Sequence, residues 1–460
     1  MENKIPAASA APRENKMGVL PVGKLLVNMA VPMMISMLFQ ALYNVVDSIF
    51  VAQLSQDAMN AVSLAFPLQT LMIALGGGTG VGMNALLSRA LGEKRQEVAD
   101  RTANTGVFLY LCSFVVFGLV GLFLSKPFFT MQTSNPNIIA YGTSYTMICV
   151  GCSIGIFSQF CFERLLQATG RTGLSMVTQI TGAVTNIILD PILIFGLFGM
   201  PRLEVAGAAV ATVAGQLVAA AMGCYLNIKH NPDIHLRLRD IRWHGQTAKD
   251  IYRIGVPSIL MQSIGSVMTF TMNQILIGFT EAATAVFGAY FKLQSFIFMP
   301  VFGLNNGVVP IVSYNYGAAR MDRVKQTVKL AVCVSVSIMT VGLLLFMLVP
   351  HVLLGFFNPS GEMLSIGTTA LRIIGTHFPI AGFCIITISV VQAIGNPLHS
   401  LVTSACRQLL VLLPAAWLLA QTGRLELVWL AFPLAELVSL ALCVLFLRRT
   451  LHTARERLGP

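Results

Sequence analysis

The sequence predicts an all-α polytopic membrane protein: twelve transmembrane helices in two six-helix bundles related by a pseudo-twofold axis. Three observations predict it. Of the 460 residues, 55% are hydrophobic and only 11% charged, with a mean hydropathy of +0.74; a soluble chain carries about 25% charged residues. The apolar residues gather into twelve stretches, each near the ~20 residues needed to cross a hydrocarbon core. The chain also matches itself at one fixed offset of 225 residues.

The twelve segments fall at about 25–51, 60–87, 103–124, 137–163, 172–197, 203–227, 251–279, 283–311, 327–350, 363–392, 398–420 and 426–447. Lys and Arg set their orientation, because cytoplasmic loops hold an excess of them. With both termini inside, inside segments hold 25 basic residues and outside loops only Lys126, Arg202 and Arg424. The net charge of +11 is therefore read as sidedness and not as a nucleic-acid surface. Residues 1–24 lack the apolar core and cleavage site of a signal peptide and read as a cytoplasmic tail. Nine cysteines lie almost wholly within apolar segments and read as packing thiols, without a disulfide or metal pattern.

The 225-residue offset brings Pro32 onto Pro257, Gln69 onto Gln294, Gly82 onto Gly307, Ser88 onto Ser313, Gly92 onto Gly317 and Arg95 onto Arg320. Gln167-Ala168-Thr169-Gly170 falls on Gln392-Ala393-Ile394-Gly395. Each copy has six segments, an even number, so the copies are parallel repeats about an axis along the membrane normal. The expected domains are a tail (1–24), a first lobe (25–228), a basic cytoplasmic linker (229–250), a second lobe (251–447) and a cytoplasmic tail (448–460).

Segment 1 carries Gln40, Tyr43, Asn44 and Asp47, spaced i, i+3, i+4 and i+7 on one helix face. A carboxylate deep in a membrane helix costs about 2.5–3.5 kcal/mol on insertion scales, so a chain that keeps one is expected to use it. Segment 5 carries Gln179, Asn186 and Asp190 on one face, with Pro191 next. At about 1.5 Å per residue, Asp47, Asp190 and Thr212 of segment 6 fall at one level in the outer half. Such oxygen ligands suit Na⁺, and two close carboxylates can instead hold a proton. Under the repeat, Asp47 meets Met272 and Asp190 meets Ala415, so only the first copy has the acids.

Other motifs read as structure. Gly76 to Gly82 lacks the Lys-Ser/Thr of a phosphate loop and reads as a close helix contact or a bend. Gly151-Cys152-Ser153-Ile154-Gly155 matches a nucleophile elbow only formally, because it lies in an apolar helix with no strand before it. Gln40, Asn44, Gln179, Gln262, Asn273, Lys292, His377 and Glu436 are polar at membrane depth and are expected to line a substrate cleft. Lys292 and Glu436 are further expected to pair, or to line a cavity, in the second lobe.

Tyr43 to Ser55 (YNVVDSIFVAQLS), Gly82 to Arg95, Leu166 to Thr172 (LQATGRT), Asn186 to Gly196 (NIILDPILIFG) and Gly207 to Val213 (GAAVATV) resemble the multidrug and toxin extrusion (MATE) transporters. The likeness covers nearly the whole chain and is greatest to the DinF/MepA-like branch. It implies a secondary antiporter, not an enzyme, that exports cationic or amphipathic drug-like compounds against H⁺ or Na⁺ by alternating access. It also implies that Asp47, Asp190, Asn186, Thr212 and Tyr43 form the cation-coupling site, with Na⁺ held by Asp47, Asn186, Asp190 and Thr212 if Na⁺ is the ion. Pro32 stands at the family's helix 1 bend. The acids of the NorM-like branch in helices 7 and 10 are missing here, where segment 7 offers Gln262, Thr269, Asn273 and Gln274 and segment 10 offers His377. The expected setting is the bacterial plasma membrane, as a monomer with no cofactor beside the coupling ion and no nucleic-acid partner. A lipid-linked oligosaccharide flippase and an intramembrane enzyme are the alternative functions.

Overall fold

A computed structural model describes residues 15–357 and 359–458, with side chains as far as Glu456. Residues 1–14 of the expected tail lie outside the described residues. All regular secondary structure among the described residues is helical. Ten helices are long and apolar enough to cross a membrane, and two bent pairs bring the total to twelve. Spans 1–3 are Val22–Ala52, Gln56–Gly92 and Gln96–Thr130. Span 4 is Pro136–Cys149 with Ile154–Ala168, bent by 41°. Spans 5–9 are Thr172–Phe195, Val205–His230, Gly245–Ile277, Glu281–Gly317 and Met321–Leu348. Span 10 is Gly361–Gly375 with Phe378–Ile394, bent by 50°. Spans 11 and 12 are Pro397–Ala420 and Leu425–Glu456. Many run several residues past the predicted segments, because polar turns at their ends continue the helix beyond the apolar stretch.

The offset of 225 holds at the level of single hydrogen bonds. Ser55 Oγ accepts the Ala58 N–H and Thr280 Oγ1 accepts the Ala283 N–H, both at 3.1 Å, capping spans 2 and 8. Ser88 Oγ donates to Ala168 O at 2.8 Å, and Ser313 Oγ to Ala393 O at 3.2 Å. Lys94 and Ala319 share the left-handed backbone, at φ 58° and 57°, as do Gly170 and Gly395 at 84° and 106°. The bends of spans 4 and 10 also correspond.

The two repeats interlock by backbone contact at the basic end of the bundle. A Cβ on Gly92 would stand 2.0 Å from Tyr314 O, and one on Gly317 would stand 2.3 Å from Arg89 O. These contacts are one another's image under the offset, as expected for two like surfaces about a twofold axis. Further along, Gly82 meets Ile251 and Gly255, while Gly307 meets Met29 and Ala30. The glycine run of span 2 thus serves close packing within an unbroken helix. Toward the opposite end, spans 1 and 7 leave Phe39, Leu42, Ile49, Leu260, Phe270 and Ile277 exposed.

Several expectations change. Glu436 is buried and pairs with Arg407, Oε2 to Nη1 at 3.2 Å, not with Lys292, which lies 5.9 Å from the Phe357 ring centre. Arg407 had counted as an inside charge; it sits on a π-helical stretch, Cys406–Leu412, where one widened turn breaks the regular period. Arg164 likewise belongs to span 4 and not to a loop. The Gly151–Gly155 motif lies at the bend of span 4, where a Cβ on Gly121 would stand 2.2 Å from Gly151 N. Pro32 lies inside the unbroken helix of span 1. It leaves the Asn28 carbonyl without its helical donor, and Thr172 Oγ1 reaches that oxygen at 3.5 Å.

Two outcomes follow. Gly92→Ala and Gly317→Ala should each destabilise the protein by about 1–3 kcal/mol, as overpacking does. A lowered apparent unfolding temperature in detergent measures this, and a wild-type value for both would contradict the packing. Glu436→Gln or Arg407→Ala alone should cost about 3–5 kcal/mol by stranding a buried partner. Arg407→Met with Glu436→Leu should recover much of that loss in the same melt.

Candidate carboxylate site in the first repeat

The site is assembled where spans 1, 5 and 6 converge, toward the end opposite the basic loops. Spans 5 and 6 touch through glycines. A Cβ on Gly182 would stand 2.9 Å from Gly215 O, and one on Gly207 would stand 2.5 Å from Leu193 O. That approach brings Asn186 of span 5 to Thr212 of span 6. Asp190 follows one turn after Asn186, five residues before the end of span 5, and Asp47 lies five residues before the end of span 1. Pro191 removes one helical N–H beside Asp190, and frees the Ile187 carbonyl.

Asp190 is fully buried and Asp47 half-buried. Their carboxyl groups come within side-chain hydrogen-bonding reach of each other. One oxygen of each, Asp47 Oδ1 and Asp190 Oδ1, is buried without a hydrogen-bond partner. With its amide nitrogen turned to Asp190, Asn186 donates to Oδ2 at 3.1 Å. Its oxygen then accepts from Thr212 N at 3.0 Å and Thr212 Oγ1 at 3.2 Å. No Lys or Arg pairs with either acid among the described residues. Two carboxyl groups this close with no cation cannot both stay charged at low cost.

Tyr43, one turn before Asp47 on span 1, lies within electrostatic range of both acids and of Cys149. The sequence reading missed Tyr145, which stands next to Asp47, Tyr43 and Cys149 and whose hydroxyl accepts from Gln69 Nε2 at 3.0 Å. Gln69 stood out only as a repeat position, and nothing in the local pattern of span 4 marks Tyr145. It also missed Glu163, which is buried and held by Gln159 Nε2 at 2.8 Å and Gln179 Nε2 at 3.0 Å. Gln179 therefore belongs to a separate network from Asp190. Beside it, Arg164 Nη1 donates to Asn306 Oδ1 of span 8 at 3.1 Å, linking the two repeats.

Of the expected cleft residues, Gln40, Asn44, Gln262 and Lys292 are exposed or partly exposed, and Asn273 is half-buried. His377 is buried at the break of span 10, its Nδ1 against Ile374 O and its ring stacked on Phe432. With Glu436 it is part of the second repeat's interior.

The MatE family model matches residues 32–192 and again 257–418. The chain is 26% identical over 430 residues to a FAD transporter of Shewanella oneidensis, covering 93% of this chain and 95% of that one. It is 25% identical over 441 residues to the multidrug export protein MepA of Staphylococcus aureus, covering 95% of each. A structure described as the outward-facing conformation of a multidrug resistance MATE family transporter superposes with a TM-score of 0.91 at 24% identity, over 97% of this chain and all of that one. A crystal structure of MATE in the bent conformation gives 0.89 at 25% identity, over 98% of this chain and 100% of the other. The fold is that of these multi-pass transporters, and the chain belongs to the MatE family, whose members are transporters and not enzymes.

Proposed function

We propose that the chain is a proton-coupled antiporter that exports amphipathic, chiefly cationic, organic compounds. The observation that carries this reading is the approach of half-buried Asp47 to buried Asp190, without a paired cation and confined to one repeat. An ion that binds this pair and a substrate that prefers its empty form each weaken the other's affinity, and that linkage couples ion entry to substrate exit. The closeness of the two carboxyl groups supports a proton, which such a pair can share.

Two lobes, 25–228 and 251–447 with the linker 229–250, rock about their interface in this reading. The interlocked basic end and the exposed far halves of spans 1 and 7 support an outward-open state. The basic end and both termini then face the cytoplasm of a bacterial cell, and the monomer is the working unit. The MepA relative supports drug-like substrates. The FAD transporter relative favours a second reading, in which the cargo is a phosphate-bearing flavin and the partly exposed Lys292 meets its charge.

In vesicles, efflux of a fluorescent organic cation driven by a pH gradient should fall at least about tenfold in Asp47→Asn and in Asp190→Asn. Undiminished efflux in both variants would sink the site assignment. A pure pH gradient should drive wild-type transport and a pure Na⁺ gradient should not; the reverse result makes Na⁺ the ion. FAD offered alone should not be carried. If FAD is carried and organic cations are not, the flavin reading replaces the first.

A further inference from the structure

Ahead of span 1, Asn15 and the short helix Lys16–Val19 lie across the seam between the repeats at the basic end. On the first-repeat side, Asn15 Nδ2 donates to Thr169 O at 2.9 Å, in the turn between spans 4 and 5. Gly170, at φ 84°, follows in that turn, and its missing side chain leaves room for the segment: a Cβ there would lie 3.2 Å from Met17 Cγ and 3.4 Å from Lys16 Cε. On the second-repeat side, Arg323 Nη2 donates to Met17 O at 3.1 Å and Leu20 O at 2.6 Å. Asn315 Nδ2 also donates to Met17 O, at 3.2 Å, and Arg320 donates to Gly18 O. Arg323 Nε is in turn held by Asn315 Oδ1 at 2.9 Å.

The segment is buried as well as bonded. Met17 is 0% exposed, in a cluster with Leu25 and Met29 of span 1 and Tyr314, Met321 and Val324 of the second repeat. Gly18 is buried too, and a Cβ there would lie 3.1 Å from the Tyr314 ring. Three main-chain carbonyls of one short segment are thus held by cationic or amide side chains of the second repeat, while its Asn15 side chain holds the first. Lys16 Nζ donates to Asn28 Oδ1 of span 1, at 2.6 Å.

We infer that residues 15–20 are a strap that ties the basic ends of the two repeats together and must let go before the bundle opens there. The basic end cannot part while Asn15 holds the Thr169 turn and Arg323 holds Met17 and Leu20. The backbone contacts of Gly92 and Gly317 close the same end, so the strap adds to a seam already tight and sets how readily it parts. This takes from the proposed function only that the repeats separate at the basic end.

Spin labels at Glu97→Cys and Gln326→Cys, exposed near the basic ends of the two repeats, report that separation in lipid nanodiscs, in a background freed of the native cysteines. Wild type should show chiefly the short, closed distance. Asn15→Ala, a change small enough to leave the fold intact, should raise the open fraction about two- to tenfold, as loss of one hydrogen bond does. Arg323→Ala should raise it at least as much. Unchanged distances in Asn15→Ala and Arg323→Ala overturn the strap. Distances that shift in the variants while wild-type vesicles carry nothing would sink the antiport reading and leave the strap standing. Silent distances with intact ion-driven export would sink the strap alone.

Discussion

Two carboxyl groups held close together, Asp190 buried and Asp47 half-buried, with no Lys or Arg paired to either among the described residues, are the constraint on which the rest of this structure depends. Such a pair is costly in a membrane, and folding alone gives no reason to keep it. Its neighbourhood is arranged to hold it in place. Glycines bring spans 5 and 6 into backbone contact, and Asn186, itself held by Thr212, donates to one oxygen of Asp190. One oxygen on each acid is buried without a hydrogen-bond partner.

The frame around the pair is symmetric and its contents are not. Caps, left-handed residues and glycine contacts recur at a fixed offset, so both halves obey one backbone plan. The first repeat brings buried Asp190 and half-buried Asp47 together with no Lys or Arg paired to either among the described residues. The second buries an acid already neutralised by Arg407 and surrounds it with an aromatic core that includes Phe287, Tyr290, Phe346 and Trp429. A balanced buried pair has little to gain from a further ion, whereas an unbalanced one has much to gain. That contrast favours ion chemistry in one half and leaves the other to packing.

Much of this was legible in the sequence. The twelve spans, the repeat and the convergence of Asp47, Asp190, Asn186 and Thr212 follow from apolar run length, a constant offset and 1.5 Å per residue. These are one-dimensional quantities, and the sequence carries them fully. What it did not carry was partner choice across helices. Glu436 has Lys292 as its expected partner, with Arg407 counted among the inside charges, and the structure pairs it with Arg407. Tyr145 sits on a helix with no polar stripe to mark it, whereas Glu163 shares a helix face with Gln159 and Gln167; the partners of both across helices depend on how the two halves of span 4, bent by 41°, face spans 2 and 5. Residues 15–20 read from sequence only as part of a cytoplasmic tail, because what holds them is distant Arg323 and Asn315 rather than their own four-residue helix.

The central claim is that substrate and ion compete through this carboxyl pair. Equilibrium substrate affinity of the purified protein, measured across pH and across Na⁺ concentration, tests it most directly. The account predicts that wild-type affinity weakens as the pH falls, while Asp190→Asn and Asp47→Asn, unable to exchange a proton at the altered position, lose most of that dependence. A pH dependence that survives in both variants would contradict it.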